Sequence, residues 1–308
     1  ECEMSDMKVW MDGALVDVRD AKVSVLDHGL LYGDGVFEGI RIRQGRIFRL
    51  DDHLHRLSAS CDAIGLVLPG GKERARTACL EAARALDADE AYLRLVVTRG
   101  VGPLGIDPTS CEHPSLFCVA GQIVLFDAKK REKGLDLVTS FWRRPPSDVL
   151  DPRVKSLNYL NNVLAKREAK LRHADDALLL NSQGRVAESA GANVFIVRRG
   201  ALQTPPPSEG ALEGVTRRSI LELARAQEAS LGLRVEELPL ARADLLDADE
   251  VFLTGSGAGV ARVASLDGVA LRDGRDPLAP AAPRVSEQLF DALVELAKTA
   301  STPFRDVG

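Results

Sequence analysis

A lysine that ends an extended segment and precedes a helix can project into a cleft rather than into bulk solvent. Lys155 holds that position in Asp151-Pro-Arg-Val-Lys155-Ser-Leu-Asn-Tyr159-Leu-Asn-Asn162, where its amine could add to a carbonyl carbon. A second feature is Val186-Ala-Glu188-Ser-Ala-Gly-Ala-Asn-Val-Phe195, a run of mostly small or apolar residues with one charge. A carboxylate buried there costs several kcal/mol unless it meets a cation or a donor. Third, Gly214-Val215-Thr216-Arg217 immediately precedes the apolar-periodic stretch Ile220, Leu221, Leu223, Ala224. Free N–H groups and a hydroxyl at a helix start make an anion site. Fourth, Thr254-Gly-Ser256-Gly-Ala-Gly259 follows the strand-like Glu250-Val-Phe-Leu253, which sets a hydroxyl among amides at a strand end.

Each feature alone has a commoner, plainer reading: a surface lysine, a strand-end glutamate paired with an arginine, an N-cap, a turn. The four together describe one ligand. An amine for an aldehyde, a carboxylate for a pyridinium nitrogen, and amides, hydroxyls and an arginine for a phosphate specify pyridoxal 5′-phosphate.

Other chemistries lack support. The chain has no G-x-G-x-x-G after a strand, no Walker loop, no G-x-S-x-G elbow and no H-E-x-x-H. His53 and His55 are two apart in a presumed helix, so they point to different faces, and no metal is expected. With 40 basic and 45 acidic residues the net charge is −5, which supplies no footprint for a nucleic acid. No stretch reaches the roughly 18 apolar residues of a membrane span, and Glu1-Cys-Glu-Met-Ser-Asp-Met-Lys-Val-Trp10 lacks the basic-then-apolar order of a signal. The five cysteines form an odd set without a C-x-x-C pair, which suggests reduced thiols and a cytoplasmic location.

The elements that must position these residues follow from periodicity. At roughly 150 residues per domain, 308 residues favour two domains, here placed at 1–125 and 135–308. The charged stretch 126–134, with Lys129-Lys-Arg-Glu-Lys133 inside it, reads as a solvated connection. In the first domain, Lys8 to Asp12 and Lys22 to Leu26 look β-like, and Ile40 to Ile42 with Arg46 to Leu50 flank a Gln44-Gly45 hairpin turn. Asp51-Asp52 can cap a helix carrying Leu54, Leu57, Ala63 and Ile64, and Lys72 to Leu86 reads as a second helix. Strands are expected over Ala91 to Thr98 and Leu116 to Leu125. The larger domain should hold strands near Leu135 to Thr139, Ala177 to Leu180, Asn193 to Arg198, Arg234 to Leu238 and Glu250 to Leu253. Its helices should span Leu157 to Arg172, Thr216 to Ser230 and Arg284 to Lys298, with a Pro- and Ala-rich loop at Pro277 to Pro283. The fold class is α+β, with two domains meeting at a cleft.

Eight segments stand in the order found in the class IV, fold-type IV pyridoxal-phosphate aminotransferases. They are Tyr32-Gly-Asp-Gly-Val-Phe-Glu-Gly-Ile-Arg41, His53-Leu-His-Arg56-Leu-x-x-Ser, Tyr92-Leu-Arg94, Thr98-Arg-Gly-x-Gly-x-Leu-Gly, Lys155-Ser-Leu-Asn-Tyr-Leu-Asn-Asn, Glu188-Ser-x-Gly-Ala-Asn-Val-Phe, Leu212-Glu-Gly-Val-Thr-Arg217 and Phe252-Leu-Thr-Gly-Ser256. From about Val9 to Leu296 the chain resembles this family, and most closely its branched-chain-amino-acid aminotransferase branch. The resemblance implies a two-domain, D-amino-acid-aminotransferase-like fold.

It further implies that Lys155 is the catalytic residue, joined to the cofactor aldehyde, that Glu188 pairs with the pyridine nitrogen, and that Tyr159 hydrogen-bonds the ring hydroxyl. Arg56, Val215, Thr216 and Ser256 would hold the phosphate. Tyr92 and the amides of Ser256, Gly257 and Ala258 would bind the substrate α-carboxylate, while Arg94 would receive the side-chain carboxylate of glutamate. Tyr32, Phe37 and Gly39 would line the side-chain pocket, with Tyr32 reaching in from the neighbouring subunit of a homodimer. One departure stands out: Thr254-Gly-Ser-Gly-Ala-Gly259 replaces the usual Thr-Gly-Thr-Ala-Ala-Glu, and the extra glycine loosens a backbone that must aim amides.

The activity implied is ping-pong transamination between branched-chain L-amino acids and 2-oxoglutarate, with small-molecule amino-acid and 2-oxo-acid substrates. Two other activities share the scaffold. A D-amino-acid or (R)-amine transaminase would use Arg99 as its carboxylate clamp, and an aminodeoxychorismate lyase would release pyruvate. A non-catalytic binding module is a third reading, with which the presence of Lys155, Glu188, Tyr159, Arg56 and Thr216 agrees poorly.

Overall fold

The computed structural model describes residues 6–122, 128–274 and 283–305. The chain divides into two compact units, one of Glu1–Val124, Val154–Asn158 and Ala297–Gly308, the other of Leu125–Arg153 and Tyr159–Leu296. The expected connection at 126–134 and strand end at 123–125 fall partly outside the described residues, as do Cys2 and residues 277–282 of the Pro- and Ala-rich patch.

The first unit contains β1 (Lys8–Met11), β2 (Ala14–Val16), α1 (His28–Tyr32), β3 (Gly35–Arg43), β4 (Arg46–Phe48), α2 (Leu50–Ala63), α3 (Gly71–Leu86), β5 (Ala91–Thr98) and β6 (Ser115–Gly121). The strands form one antiparallel sheet in the order β4-β3-β5-β6-β1-β2, extended past β4 by Ser301–Pro303. The β3–β4 hairpin closes with Ile42 opposite Ile47. Gln44 and Gly45 both take positive φ, 48° and 67°, the conformation that a two-residue hairpin with native twist requires.

Period 2 along a strand sends alternate side chains to opposite faces. Val36, Glu38, Ile40 and Ile42 of β3 are buried to 0% exposure, as are Leu93, Leu95 and Val97 of β5. They pack with Leu54, Leu57 and Cys61 of α2 and Ala75, Ala78, Cys79 and Ala82 of α3. Each buried Leu or Ile contributes about 1.5–3 kcal/mol. Phe37 and Gly39, which alternate with these residues, and their β5 partners Val96 and Arg94 therefore take the other face.

Two expectations are corrected here. Lys22 to Leu26 forms no strand: Val23, Val25 and Leu26 are exposed, and without a neighbouring strand the β-like composition has nothing to pair with. Asp51 and Asp52 lie in the first turn of α2 rather than at its cap, which Arg49 occupies at φ 47°. Both carboxylates still meet the positive end of the helix dipole.

The second unit begins with α4 (Ala128–Lys133), so the charged run folds as a short helix rather than staying a plain connection. There follow β7 (Leu135–Arg143), α5 (Leu160–Leu171), β8 (Asp176–Leu180), β9 (Val186–Ser189), β10 (Asn193–Arg198), β11 (Ala201–Thr204), α6 (Val215–Ala226), α7 (Glu228–Leu231), β12 (Arg234–Glu237), α8 (Arg242–Leu246), β13 (Glu250–Gly255), β14 (Gly259–Leu266), β15 (Val269–Ala270) and α9 (Val285–Thr299). The mixed sheet runs β12-β11-β10-β13-β14-β7-β8-β9, with β15 beside β14. Ala165 and Ala169 of α5 pack on Val138, Ala177 and Leu179. Strands β9, β11 and β14 and helix α8 were not anticipated. The helix expected over Thr216 to Ser230 breaks at Gln227 into α6 and α7.

Among the described residues no helix is long and apolar enough to cross a membrane, and no group of three or more His, Cys, Asp or Glu could hold a metal ion. His53 is buried and His55 exposed, as a two-residue helical spacing demands.

Candidate functional site

In the first unit, residues 155–157 run beside the start of β3. The Phe37 amide donates to the Lys155 carbonyl at 2.9 Å and the Leu157 amide to the Gly35 carbonyl at 2.9 Å, while the Lys155 amide donates to Ser60 Oγ at 3.2 Å. Two backbone–backbone bonds and one to a serine hydroxyl thus hold the segment that carries Lys155. Gly35 is small for a reason, since a Cβ there would stand 2.5 Å from the Val97 carbonyl and 2.6 Å from Leu157.

Lys155 Nζ lies 4.4 Å from the centroid of the Phe37 ring, and the Arg94 guanidinium lies 4.6 Å from the same ring. Arg94 also stands 5.8 Å from the Tyr92 ring. Cations within about 6 Å of an aromatic face are attracted by its quadrupole. Phe37, Tyr92, Arg94 and Lys155 are thereby linked, and a Cβ at Gly39 would come within 1.7 Å of Tyr92 Oη.

Arg56 sits elsewhere than a bare phosphate ligand would suggest. Its Nε and Nη2 each donate to Glu38 at 2.7 Å, and His53 Nδ1 lies 2.7 Å from the same carboxylate. Arg56 and His53 are three apart on α2, hence on one face. Burial pushes the Glu38 carboxyl up, but the Arg56 charge and hydrogen bonds, with His53, outweigh it and hold the group well below the carboxylate range. Burial also lowers His53, against the pull of Glu38.

Arg99 is committed to the protein. Its Nε and Nη2 meet Asp34 at 2.9 and 3.0 Å, and Nη1 and Nη2 donate to the carbonyls of Gly65 and Ile64 at 2.6 and 2.8 Å. A guanidinium so engaged and nearly fully buried is a structural clamp between α2 and the strand end, not an open receptor for a substrate carboxylate. Tyr32 stands apart from the Phe37 group: it is partly exposed, and its Oη accepts from the Gly105 amide at 3.0 Å.

In the second unit, Glu188 on β9 is the hub. Oε1 meets Arg144 Nη2 at 3.1 Å, and Oε2 accepts from the Leu212 amide at 2.9 Å and Asn193 Nδ2 at 3.3 Å. Arg144 is oriented in turn by Gly210 and Asn162, to whose oxygens Nε and Nη1 donate at 3.0 Å. Asn162 Nδ2 then donates to the Ala190 carbonyl at 2.9 Å. A carboxylate has about four lone-pair sites, and these donors use three.

The first turn of α6 is buried at Val215, Thr216 and Arg217, yet no side chain caps it. Gly214 at the cap admits no substituent, since a Cβ would come within 2.1 Å of Asn193 Oδ1. Ser256, Gly257 and Ala258 form the turn between β13 and β14, where Gly255 pairs with Gly259. Nearby in sequence, Thr254 Oγ1 is buried with no hydrogen-bond partner among the described residues. A cavity of about 250 Å³ joins Tyr159, at the start of α5, to Asn162, Gly191 and Ala258.

These features fit pyridoxal phosphate. A buried helix start without a side-chain cap leaves N–H groups that a phosphate can complete, and a buried carboxylate with one acceptor site to spare suits a protonated ring nitrogen. Sequence reasoning missed Arg144, Asn162 and the Leu212 amide as supports of Glu188. It anticipated an arginine partner for that carboxylate without saying which. The signal for Asn193 is its place five residues after Glu188, across a tight turn.

Known proteins resemble this chain over most of its length. The amino-transferase class IV family matches residues 35–266, which include Lys155, Glu188, the start of α6 and the 256–258 turn. A Methanocaldococcus jannaschii protein, provisionally named a branched-chain-amino-acid aminotransferase, is 47% identical over 262 residues, covering 85% of this chain and 88% of that protein. The structure of a branched-chain aminotransferase from Thermoproteus uzoniensis with norvaline superposes with a TM-score of 0.86 at 33% identity, covering 97% of this chain and 99% of that one. The branched-chain amino acid aminotransferase of Thermobaculum terrenum in its PLP form gives 0.82 at 30% identity, with 97% and 98% covered. With three quarters of its length matched, and an α+β architecture shared with those structures, the chain belongs to the class IV aminotransferases.

Proposed function

We propose that this aminotransferase exchanges the amino group of branched-chain L-amino acids with 2-oxoglutarate, with pyridoxal 5′-phosphate as its cofactor. The observation that carries the cofactor reading is the pairing, within one unit, of a fixed and buried Glu188 carboxylate with the buried, uncapped start of α6.

The bound cofactor supplies an electron sink for the substrate Cα–H bond. Lys155 would hold the cofactor through its aldehyde, and the Lys155 amine would move the proton at the substrate Cα. Its anchored backbone keeps that amine in place. Glu188 would keep a proton at the ring nitrogen, and Tyr159 would hydrogen-bond the ring hydroxyl. Val215, Thr216, Ser256 and Arg56 would hold the phosphate, Arg56 being kept in one orientation by Glu38. Tyr92 and the amides of Gly257 and Ala258 receive the α-carboxylate, and Arg94 the second carboxylate of glutamate. Phe37 and Gly39 shape the apolar side of the site, and the Gly39 contact with Tyr92 leaves no room for a larger residue there.

A second copy of the chain completes this site. Leu30 and Leu31 precede Tyr32, and Val101, Leu104 and Ile106 lie close in sequence to Gly105, whose amide donates to Tyr32 Oη; all five are exposed, an apolar surface of the kind that marks an interface. The unpaired Cys61, Cys79, Cys111 and Cys118 suit the reducing cytoplasm.

Lys155→Ala should abolish transamination while leaving the circular dichroism of the fold intact. Borohydride reduction of the wild-type holoprotein followed by peptide mass analysis should place the added mass on Lys155. Turnover in the variant, or added mass on another peptide, would overturn the assignment.

A further inference from the structure

We infer that Arg144 is a positioning residue that decides where the proton between Glu188 and the cofactor ring nitrogen resides. The inference rests on the cofactor reading above and extends it to a side chain that touches neither substrate nor reacting atoms.

Arg144 is nearly fully buried, just past the end of β7, and each of its outer groups has a separate duty. Nε donates to the Gly210 carbonyl and Nη1 to Asn162 Oδ1, leaving Nη2 to meet Glu188 Oε1. A fork held at two prongs cannot swing, so the third stays 3.1 Å from the carboxylate. Oε2 is fixed from the other side by the Leu212 amide and Asn193. The carboxylate is thus clamped in its plane before any ligand arrives.

The electrostatic consequence follows from which protonation states are possible. A carboxylate facing a pyridine nitrogen can share one proton in two ways, as carboxylate with pyridinium or as carboxylic acid with neutral pyridine. In a low-dielectric interior the neutral pair is favoured unless a further charge intervenes. A fixed cation against Oε1 stabilises the first arrangement and leaves the proton on the ring. Without it, the same two groups would drift toward the neutral pair, and the electron sink that proton transfer at Cα requires would weaken.

A structural role alone would make Arg144 a brace whose loss loosens the β9 region. The two roles separate in the ring-nitrogen signal of holoenzyme prepared with ¹⁵N-labelled pyridoxal phosphate. In wild type and Arg144→Lys the ¹⁵N resonance should lie in the protonated range, and in Arg144→Gln it should move toward the unprotonated range. Turnover of Arg144→Gln should fall about 10- to 100-fold, as for loss of an outer support of a reacting group, with KM for the amino donor little changed and Arg144→Lys recovering part of the rate. Should Arg144→Gln fail to fold, Arg144→His supplies the charge in a titratable form. Its resonance should follow the imidazole, protonated below about pH 6 and shifting above about pH 7. A wild-type-like resonance in Arg144→Gln, or one in Arg144→His that does not change with pH, overturns the inference. A Glu188→Gln resonance identical to wild type would instead remove the cofactor reading beneath it.

Discussion

Glu38 and Glu188 are both buried glutamates that meet an arginine, yet their surroundings differ in a way that separates structure from chemistry. Glu38 in the first unit has no exposure and receives two prongs of Arg56 in parallel, with His53 on the same carboxylate. All three of its contacts are short, and two of them come from a guanidinium. Glu188 in the second unit receives a single prong of an arginine shared with two other oxygens, and one of its remaining donors is a long 3.3 Å bond. Each carboxylate receives three donors; those on Glu38 are all at 2.7 Å and come from Arg56 and His53, whereas Glu188 meets one charged prong at 3.1 Å and two neutral donors at 2.9 and 3.3 Å. A carboxylate held tightly by two basic side chains contributes to the fold, whereas one held more loosely by a single charged prong can still serve a ligand.

The comparison is broken most directly at Glu38. Glu38→Gln leaves Arg56 facing a neutral amide and removes the bidentate geometry, which should cost about 3–5 kcal/mol of stability, read as a lower urea midpoint in the absence of substrates. The sign with pH is fixed by the lowered value of Glu38. Its stabilisation is present above the ordinary 4.5 and lost as the pH falls toward the lower folded value. The gap between wild type and variant should therefore narrow in acid. A variant as stable as wild type at neutral pH would show that the buried pair contributes nothing to the fold.

Glu188→Gln should act on the other quantity. Arg144 keeps the Gly210 and Asn162 oxygens, so the fold should lose less than with Glu38→Gln, while transamination falls on the order of a hundredfold or more. Steady-state turnover against the urea midpoint separates the two variants. If both lose stability equally and Glu188→Gln keeps its turnover, the two carboxylates are the same kind of object and the distinction fails.

How much of this was legible in the sequence depends on whether the determinant is local. The Gln44-Gly45 turn, β5 over Ala91–Thr98 and β10 over Asn193–Arg198 appear where pattern and turn chemistry put them, because period 2 and positive φ are written in adjacent residues. Lys22 to Leu26 has the same local composition and no strand, since pairing needs a neighbour that composition does not specify. The same divide runs through the site. Lys155, Glu188 and the α6 start are set in recognisable segments. Arg144 lies 44 residues before Glu188 and is joined to it only through space. Arg99 is the opposite case: its segment suggested a clamp for substrate, but the fold spends its donors on Asp34 and two carbonyls from α2's end.

A third buried glutamate sharpens the contrast with a smaller effect. Glu250 opens β13, and its carboxylate is met by the Ser286 hydroxyl and amide rather than by a cation in contact. Burial raises its pKa above the ordinary 4.5, and the Ser286 bonds and the more distant Arg284 charge offset this only in part. A raised carboxyl stabilises the folded chain below 4.5, where both folded and unfolded states are protonated less unequally, and costs stability as the pH rises through the folded value. Glu250→Gln keeps an acceptor for Ser286 and removes the charge. It should leave stability near pH 4 almost unchanged and add on the order of 1 kcal/mol at pH 8, measured as urea midpoints at the two pH values. The gain should be opposite in sign to the loss in Glu38→Gln, because one carboxylate has its cation and the other does not. Equal shifts at both pH values would place the effect in packing around Gly274, whose Cβ position lies 2.9 Å from the Glu250 side chain, rather than in charge.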